Sequence, residues 1–346
     1  MRSAVSGTQN WSPLRRDRCE RLVSFHNVSL RARPHLPGDR GRGTFRRMLT
    51  AMLAIVLLAA PNPPDDSVAR RIAVAPAESI QLSSVGPAGG PVVVIVPGLV
   101  SPAYAFRKVL PPLAEAGVHA VVIEPLGVGR SSRPGDADYS HTAQARRVAA
   151  VMDSLGLTHA VVMGHSVGTA VALRLAVARP ELVKGLLLIE GGALESAAVP
   201  GVKRAIQFSF LVRLFAGRGR IKKELRKGLI ASSGDTTWVT DSVIERYTEG
   251  AAGDMGAVLR ALKGMQRSVE PDSLAPRLHE IHVPVLLLLG GAAHEGSPSP
   301  GRARTLEHRL PHFRQRIVYG AGLHIHEEQP EVVVNDLLDM VQREGS

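Results

Sequence analysis

Ser166 stands in Gly164-His165-Ser166-Val167-Gly168, a small-x-Ser-x-small pentapeptide between the apolar run Ala160-Val161-Val162-Met163 and a helical stretch from Thr169 to Ala178. A strand that turns sharply into a helix forces the residue at the turn into strained backbone geometry, so the neighbours two positions away must be small. Gly164 and Gly168 meet that need. Such a turn lifts the Ser166 hydroxyl clear of the sheet and points backbone N–H groups at any oxyanion formed beside it. The chemistry on offer is nucleophilic attack, provided an imidazole removes the hydroxyl proton. Two histidines, His324 and His326, lie in the late run Gly320-Ala321-Gly322-Leu323-His324-Ile325-His326-Glu327-Glu328. A metal reading of His324-x-His326 with Glu327 finds no further donor at ligand spacing, and nothing matches His-Glu-x-x-His, so no metal and no cofactor is expected.

These residues need a scaffold, and from residue 70 onward strand-like and helix-like stretches alternate as in a mostly parallel sheet covered by helices. Val92 to Val96 is a continuous β-branched run, the pattern of a strand buried on both faces. It ends in Pro97-Gly98-Leu99, and helical spacing follows from Tyr104 to Ala116. Further strands are expected at Ala120 to Ile123, before Ser166, at Leu186 to Ile189, at Val283 to Leu289 and at Arg316 to Tyr319. Helices are expected near 140–155, 302–310 and 331–341. Between Ala193 and His282 the alternation stops, and helical patterns without a convincing buried strand predict an inserted cap.

The net charge of +11 suggests a polyanion partner, but eleven arginines against Asp17, Glu20 and Asp39 within residues 1–47 account for most of it. The basic excess is segregated from the folded part, which excludes global nucleic-acid binding. Residues 1–47 show no sustained periodicity and read as a disordered, Arg-rich leader; they also hold the only cysteine, Cys19. The rest of the chain therefore has neither disulfide nor thiolate metal site. Arg46-Arg47, the apolar run Met48 to Ala60 and the small residues at Ala60 and Ser67-Val68-Ala69 give residues 48–69 the layout of a signal peptide. Export to the periplasm or medium is the expectation. The alternative is a chain held at a membrane through residues 48–60.

With these pieces in order, residues 80–342 resemble the α/β-hydrolase fold family. The resemblance rests on the Ser166 pentapeptide, on the stretch Tyr104 to Ala114, on the loop Gly127-Val128-Gly129-Arg130-Ser131-Ser132-Arg133-Pro134 and on Glu327-Glu328-Gln329-Pro330. It implies a core of residues 70–192 and 283–346 and a helical cap of residues 193–282. It also implies the order nucleophile, acid, histidine, with His324 as the base beside the Gly-rich turn. Counted back from Pro330, the usual family spacing falls on Leu323. His326 is then a surface or supporting histidine. The family's common acid position, in a Gly-x-x-Asp turn after the strand 283–289, holds Ala293 here, in Gly290-Gly291-Ala292-Ala293. Glu190, at the end of the preceding strand, and Glu295, two residues past the usual place, are the alternatives, and a triad without an acid is the third. The implied oxyanion donors are the N–H groups of Leu99 and Val167, with Pro97-Gly98 in place of the usual His-Gly.

A serine rather than an aspartate at the elbow disfavours dehalogenase and epoxide-hydrolase chemistry, which needs a carboxylate nucleophile. The expectation is a serine hydrolase that cleaves carboxylic esters, esterase- or lipase-like, through an acyl-enzyme, with a small, apolar ester as its partner. A C–C bond or lactone hydrolase with the same triad, or a catalytically silent binding protein of this fold, are the alternatives. From Val202 to Ile230 the cap interleaves aromatic and aliphatic residues with nine cations, opposed within that stretch by Glu224. Weak contact with an anionic membrane surface is one reading of it, and an ordinary solvated cap face is the other.

Overall fold

The computed structural model describes residues 67–99, 101–193, 218–248, 255–296, 298 and 300–343, all within the compact unit Arg40–Ser346. The leader, the apolar run Met48 to Ala60 and the first part of the cap fall outside the described residues.

Eight strands form one sheet: β1 (Val68–Ala75), β2 (Glu78–Val85), β3 (Val92–Val96), β4 (His119–Glu124), β5 (Ala160–His165), β6 (Val183–Ile189), β7 (Val285–Gly290) and β8 (Phe313–Val318). Their spatial order is β1-β2-β4-β3-β5-β6-β7-β8. β1 pairs antiparallel with β2, and β2 with β4; all later pairings are parallel. Parallel strands need crossovers, which place helices on both faces and bury the strands on both sides. Alternate residues therefore feed two cores. Val94 and Val96 face one, with Val151 and Leu173, whereas Val93 and Ile95 face the other, with Leu113 and Leu337.

The described helices are α1 (Leu110–Glu115), α2 (His141–Ser154), α3 (Val167–Ala178), α4 (Arg218–Ala231), α5 (Asp241–Thr248), α6 (Met255–Arg267), α7 (Pro300–Arg309), α8 (Ile325–Glu328) and α9 (Pro330–Gln342). Among the described residues, the segment 193–282 contains α4, α5, α6 and the 3-10 turn Ala275–Glu280 and no strand. Chain direction across the sheet reverses at β3, which has β4 on one side and β5 on the other. Ligands of open α/β sheets bind outside the carboxyl ends of the strands at such a switch point. Leu99 after β3 and Ser166 after β5 lie there.

Two strands go beyond the sequence expectation. β1 and β2 alternate apolar residues with Arg71, Gln81 and Ser83, and the turn between them carries Ala77 at φ 61°, without the Gly or Asn that marks such turns. β1 also begins at Val68, inside the signal-like segment 48–69, so cleavage after Ala69 would trim the strand, whereas cleavage after Ala60 would spare it.

Candidate active site

Ser166 links β5 to α3 with φ 51° and ψ −118°, a region costly for a side-chain-bearing residue by roughly 1–3 kcal/mol. Its N–H donates to the Ile189 carbonyl at 2.8 Å, which ties the turn to the end of β6. A Cβ on Gly168 would lie 2.2 Å from the Val96 carbonyl oxygen, and one on Gly164 would lie 2.7 Å from the Gly168 oxygen. Both glycines are therefore sterically required. Gly98 also packs against the turn, less tightly, since a Cβ there would meet the Ser166 Cβ at 3.1 Å. The exit of β3, which carries Leu99, thus lies against the elbow, and Val167 opens α3. Leu99, Val167, Val128, Tyr139, His141 and Met265 line part of a largely apolar cavity of about 30 Å³. That volume holds no more than a few atoms.

A residue that sequence reasoning did not single out holds these loops in place. Glu124, 2% exposed, accepts from the Ala103 N–H at 2.9 Å and from the Arg130 N–H at 2.7 Å, joining the loop after β3 to the loop after β4. A Cβ on Gly129, which has φ +57°, would lie 2.1 Å from the Glu124 carboxyl carbon. The sequence signal was an acid closing an otherwise apolar strand just before a Gly-x-Gly loop.

His324 is buried at the carboxyl end of the sheet, but its imidazole does not hydrogen-bond Ser166. Its Nε2 lies 3.0 Å from the Ser232 hydroxyl, at the end of the cap helix α4. The preceding Leu323 comes to the elbow instead, its carbonyl 3.0 Å from His165 Nε2 and its N–H donating to the Ser232 carbonyl at 2.8 Å. Glu328 fastens this loop to the cap by accepting from the N–H groups of Gly234 and Asp235 at 2.8 Å and of Gly322 at 2.9 Å.

Neither expected acid touches His324. Glu190, at φ 51° just past β6, accepts from the Gly290 N–H, and its other oxygen is 3.3 Å from His294 Nε2. The second ring nitrogen of His294 is 2.8 Å from the Ala292 carbonyl. Burial raises the Glu190 carboxyl above the usual carboxylate range, against the pull of the Gly290 N–H and His294. Glu295 is exposed, with its N–H bonded to the Ala231 carbonyl at 2.8 Å.

The sequence treated His324 and His326 as a pair; the structure makes them part of a trio. His165, His324 and His326 are each at most 1% exposed, and one ring nitrogen from each lies within 4.8 Å of the others. His326 stacks on Phe106 at 4.7 Å and meets the edge of His165 at 4.5 Å. Burial pushes the His165 imidazole down to about 4, although its bond to the Leu323 carbonyl works the other way. Burial likewise drives His324 and His326 well below the usual imidazole range, and neighbouring histidines add to this. All three are neutral near pH 7. The expectation of no metal counted only residues near His324 in sequence and so left out His165.

Residues 91–217 match the family described as alpha/beta hydrolase fold. The hydrolase YugF of Bacillus subtilis is 25% identical over 258 residues, covering 73% of this chain and 91% of its own. A haloalkane dehalogenase of Mycolicibacterium paratuberculosis is 29% identical over 163 residues, covering 47% of this chain and 52% of its own, so the chain spans about half of that relative. The crystal structure of Cfl2 from Burkholderia cenocepacia superposes with a TM-score of 0.64 at 24% identity, over 82% of this chain and 99% of that one. With its eight-stranded, mostly parallel sheet, covering helices and elbow, the chain has the α/β-hydrolase fold.

Proposed function

We propose that this chain is a serine hydrolase of carboxylic esters with Ser166 as its nucleophile. The observation that carries the reading is the strained Ser166 backbone at the β5–α3 turn, held between required glycines at the switch point of the sheet. In this reading Ser166 Oγ attacks the acyl carbon, and the N–H groups of Leu99 and Val167 receive the oxyanion. His324 takes the hydroxyl proton and returns it to the leaving alcohol, and water then releases the acyl group. To do so, His324 must carry its ring proton on Nδ1, its Nε2 must exchange Ser232 for Ser166, and Glu190 must exchange His294 for His324 Nδ1. Glu190 is the acid of this reading and Glu295 the alternative. The small apolar cavity beside the oxyanion donors favours an ester with a short acyl part. The dehalogenase likeness does not carry over to chemistry, because that reaction needs a carboxylate where Ser166 stands. Lactone or C–C bond substrates would use the same groups, and a panel of esters, lactones and diketones of graded length separates them.

A second reading, a catalytically silent binding protein of this fold, is favoured by two contacts: His324 on Ser232 and Glu190 on His294. A fluorophosphonate probe decides between the two. Labelling that disappears in Ser166→Ala supports the hydrolase, and an unlabelled wild-type chain supports the silent protein.

Export and membrane contact belong to the same proposal. Among the described residues no helix is long and apolar enough to cross a membrane. On α4, Lys222 pairs with Glu245, Arg226 with Asp241, and Lys227 with Glu224 at 3.0 Å, so part of its basic charge is offset by cap acids. N-terminal sequencing of the protein from medium or periplasm tests export, and binding to anionic vesicles at low salt tests the surface contact.

A further inference from the structure

We propose that His165, His324 and His326 form a binding site for a divalent cation of the zinc type, set behind the nucleophile. One ring nitrogen of each lies within 4.8 Å of the others. His165 Nδ1, His324 Nδ1 and both nitrogens of His326 are buried and make no hydrogen bond. Leaving a buried polar atom unpaired costs about 1–3 kcal/mol, and here the cost is concentrated in one spot.

The hydrogen bonds on the far side of two rings prepare the near side. His165 Nε2 faces the Leu323 carbonyl at 3.0 Å, an acceptor only, so that nitrogen carries the proton and Nδ1 keeps its lone pair. His324 Nε2 faces Ser232 Oγ, whose own proton is directed to the Gly228 carbonyl at 2.8 Å. The same tautomer follows for His324. Metal-binding imidazoles are oriented in this way, by giving their other N–H to a carbonyl or hydroxyl.

Size and charge agree with this. Donors within 4.8 Å of one another need to close by up to about 1.5 Å to reach the separation set by tetrahedral zinc–nitrogen bonds of about 2.0–2.1 Å. Three neutral imidazoles suit zinc, copper or nickel and are poor ligands for magnesium or calcium. Three protein ligands leave a fourth position open. The site does not depend on Ser166 being catalytic, although an occupied site would withhold His324 from it.

The test is metal uptake by the EDTA-treated full chain, read without any assay of catalysis. Titration with Zn²⁺ should give one ion per chain and a raised Tm, and Co²⁺ should give the visible bands of a tetrahedral site. The same uptake is expected in Ser166→Ala, which separates this result from the fate of the hydrolase reading. His165→Ala and His326→Ala, each checked for native circular dichroism, should abolish the cobalt bands, whereas His308→Ala, at an exposed position of α7 outside the trio, should not change them. Ser232→Ala should weaken Zn²⁺ binding by about 10-fold, through loss of its hold on His324. Should a variant fail to fold, X-ray absorption of the Zn²⁺-loaded wild-type chain gives the same information, showing three imidazole nitrogens at about 2.0–2.1 Å. The proposal is overturned if the wild-type chain takes up no stoichiometric Zn²⁺, or if uptake is unchanged in folded His165→Ala and His326→Ala.

Discussion

His324 Nε2 lies 3.0 Å from Ser232 Oγ, so the imidazole that the late Gly-rich loop supplies is held by the cap and not by Ser166. If His324 is the base, as proposed, the cap restrains it. Removing the competing hydroxyl should free the ring. Ser232→Ala is expected to raise the rate of fluorophosphonate labelling of Ser166 several-fold in metal-free buffer; a rate that falls or stays the same would show that Ser232 does not restrain the base.

The acid is tested by a pair of variants. A carboxylate that orients the imidazole of a triad is worth about 10⁴ in rate, and Glu190 is the buried candidate, held by Gly290 and His294. Glu190→Gln should lower ester turnover by at least about 10²-fold, while Glu295→Gln, at an exposed position, stays within about twofold. The reverse pattern assigns the acid to Glu295.

Glu270 gives a pH prediction away from the site. Its carboxylate is 5% exposed and accepts from the N–H groups of His141 at 2.6 Å and Thr142 at 3.2 Å, at the start of α2. Burial raises it, but hydrogen bonds from His141 and Thr142 prevail and hold it at about 2, below its ordinary 4.5. A carboxyl depressed on folding stabilises fully above its ordinary value, and the contribution is lost as pH falls toward the folded value. Wild type should therefore lose on the order of 1–2 kcal/mol between about pH 4.5 and pH 2 that Glu270→Gln does not, once solvent screening is allowed for. Urea unfolding across that range measures the difference.

The elbow glycines predict a contrast in stability. Gly168→Ala places a Cβ 2.2 Å from the Val96 carbonyl oxygen, whereas Gly301→Ala in α7 meets nothing within 4 Å. Overpacking between fixed backbones costs about 3 kcal/mol or more, and an exposed substitution falls within about 0.5 kcal/mol. Denaturant midpoints of the two variants report it.

The inner parallel strands were legible because their centres are continuous apolar runs, whereas the edge strand β8, with Arg314, Gln315 and Arg316, begins at Phe313, ahead of the expected Arg316. Val92 to Val96 is bounded in the structure as the sequence suggested, and the turn at Ser166 follows from its two glycines. β1 and β2 were not, since a partly solvated antiparallel edge mixes Arg71, Gln81 and Ser83 into its apolar pattern, and the Ala77 turn lacks glycine. At the site, the sequence put Ser166 at the turn between β5 and α3 and His324 in the loop after β8, where they stand, but could not foresee their partners. Ser232 reaches His324 from an inserted cap, and Glu190 reaches His294 across the end of β7. His165 joins His324 and His326 only because the loop after β8 folds back onto β5. Each of these is a contact between distant segments, invisible to local periodicity.

The central claim is that Ser166 is an activated nucleophile. It is tested most directly by intact-mass measurement of the chain after incubation with a fluorophosphonate. The account predicts one adduct per wild-type chain, mapped to Ser166 and absent from Ser166→Ala. A wild-type chain that remains unmodified while its circular dichroism shows it folded would contradict it.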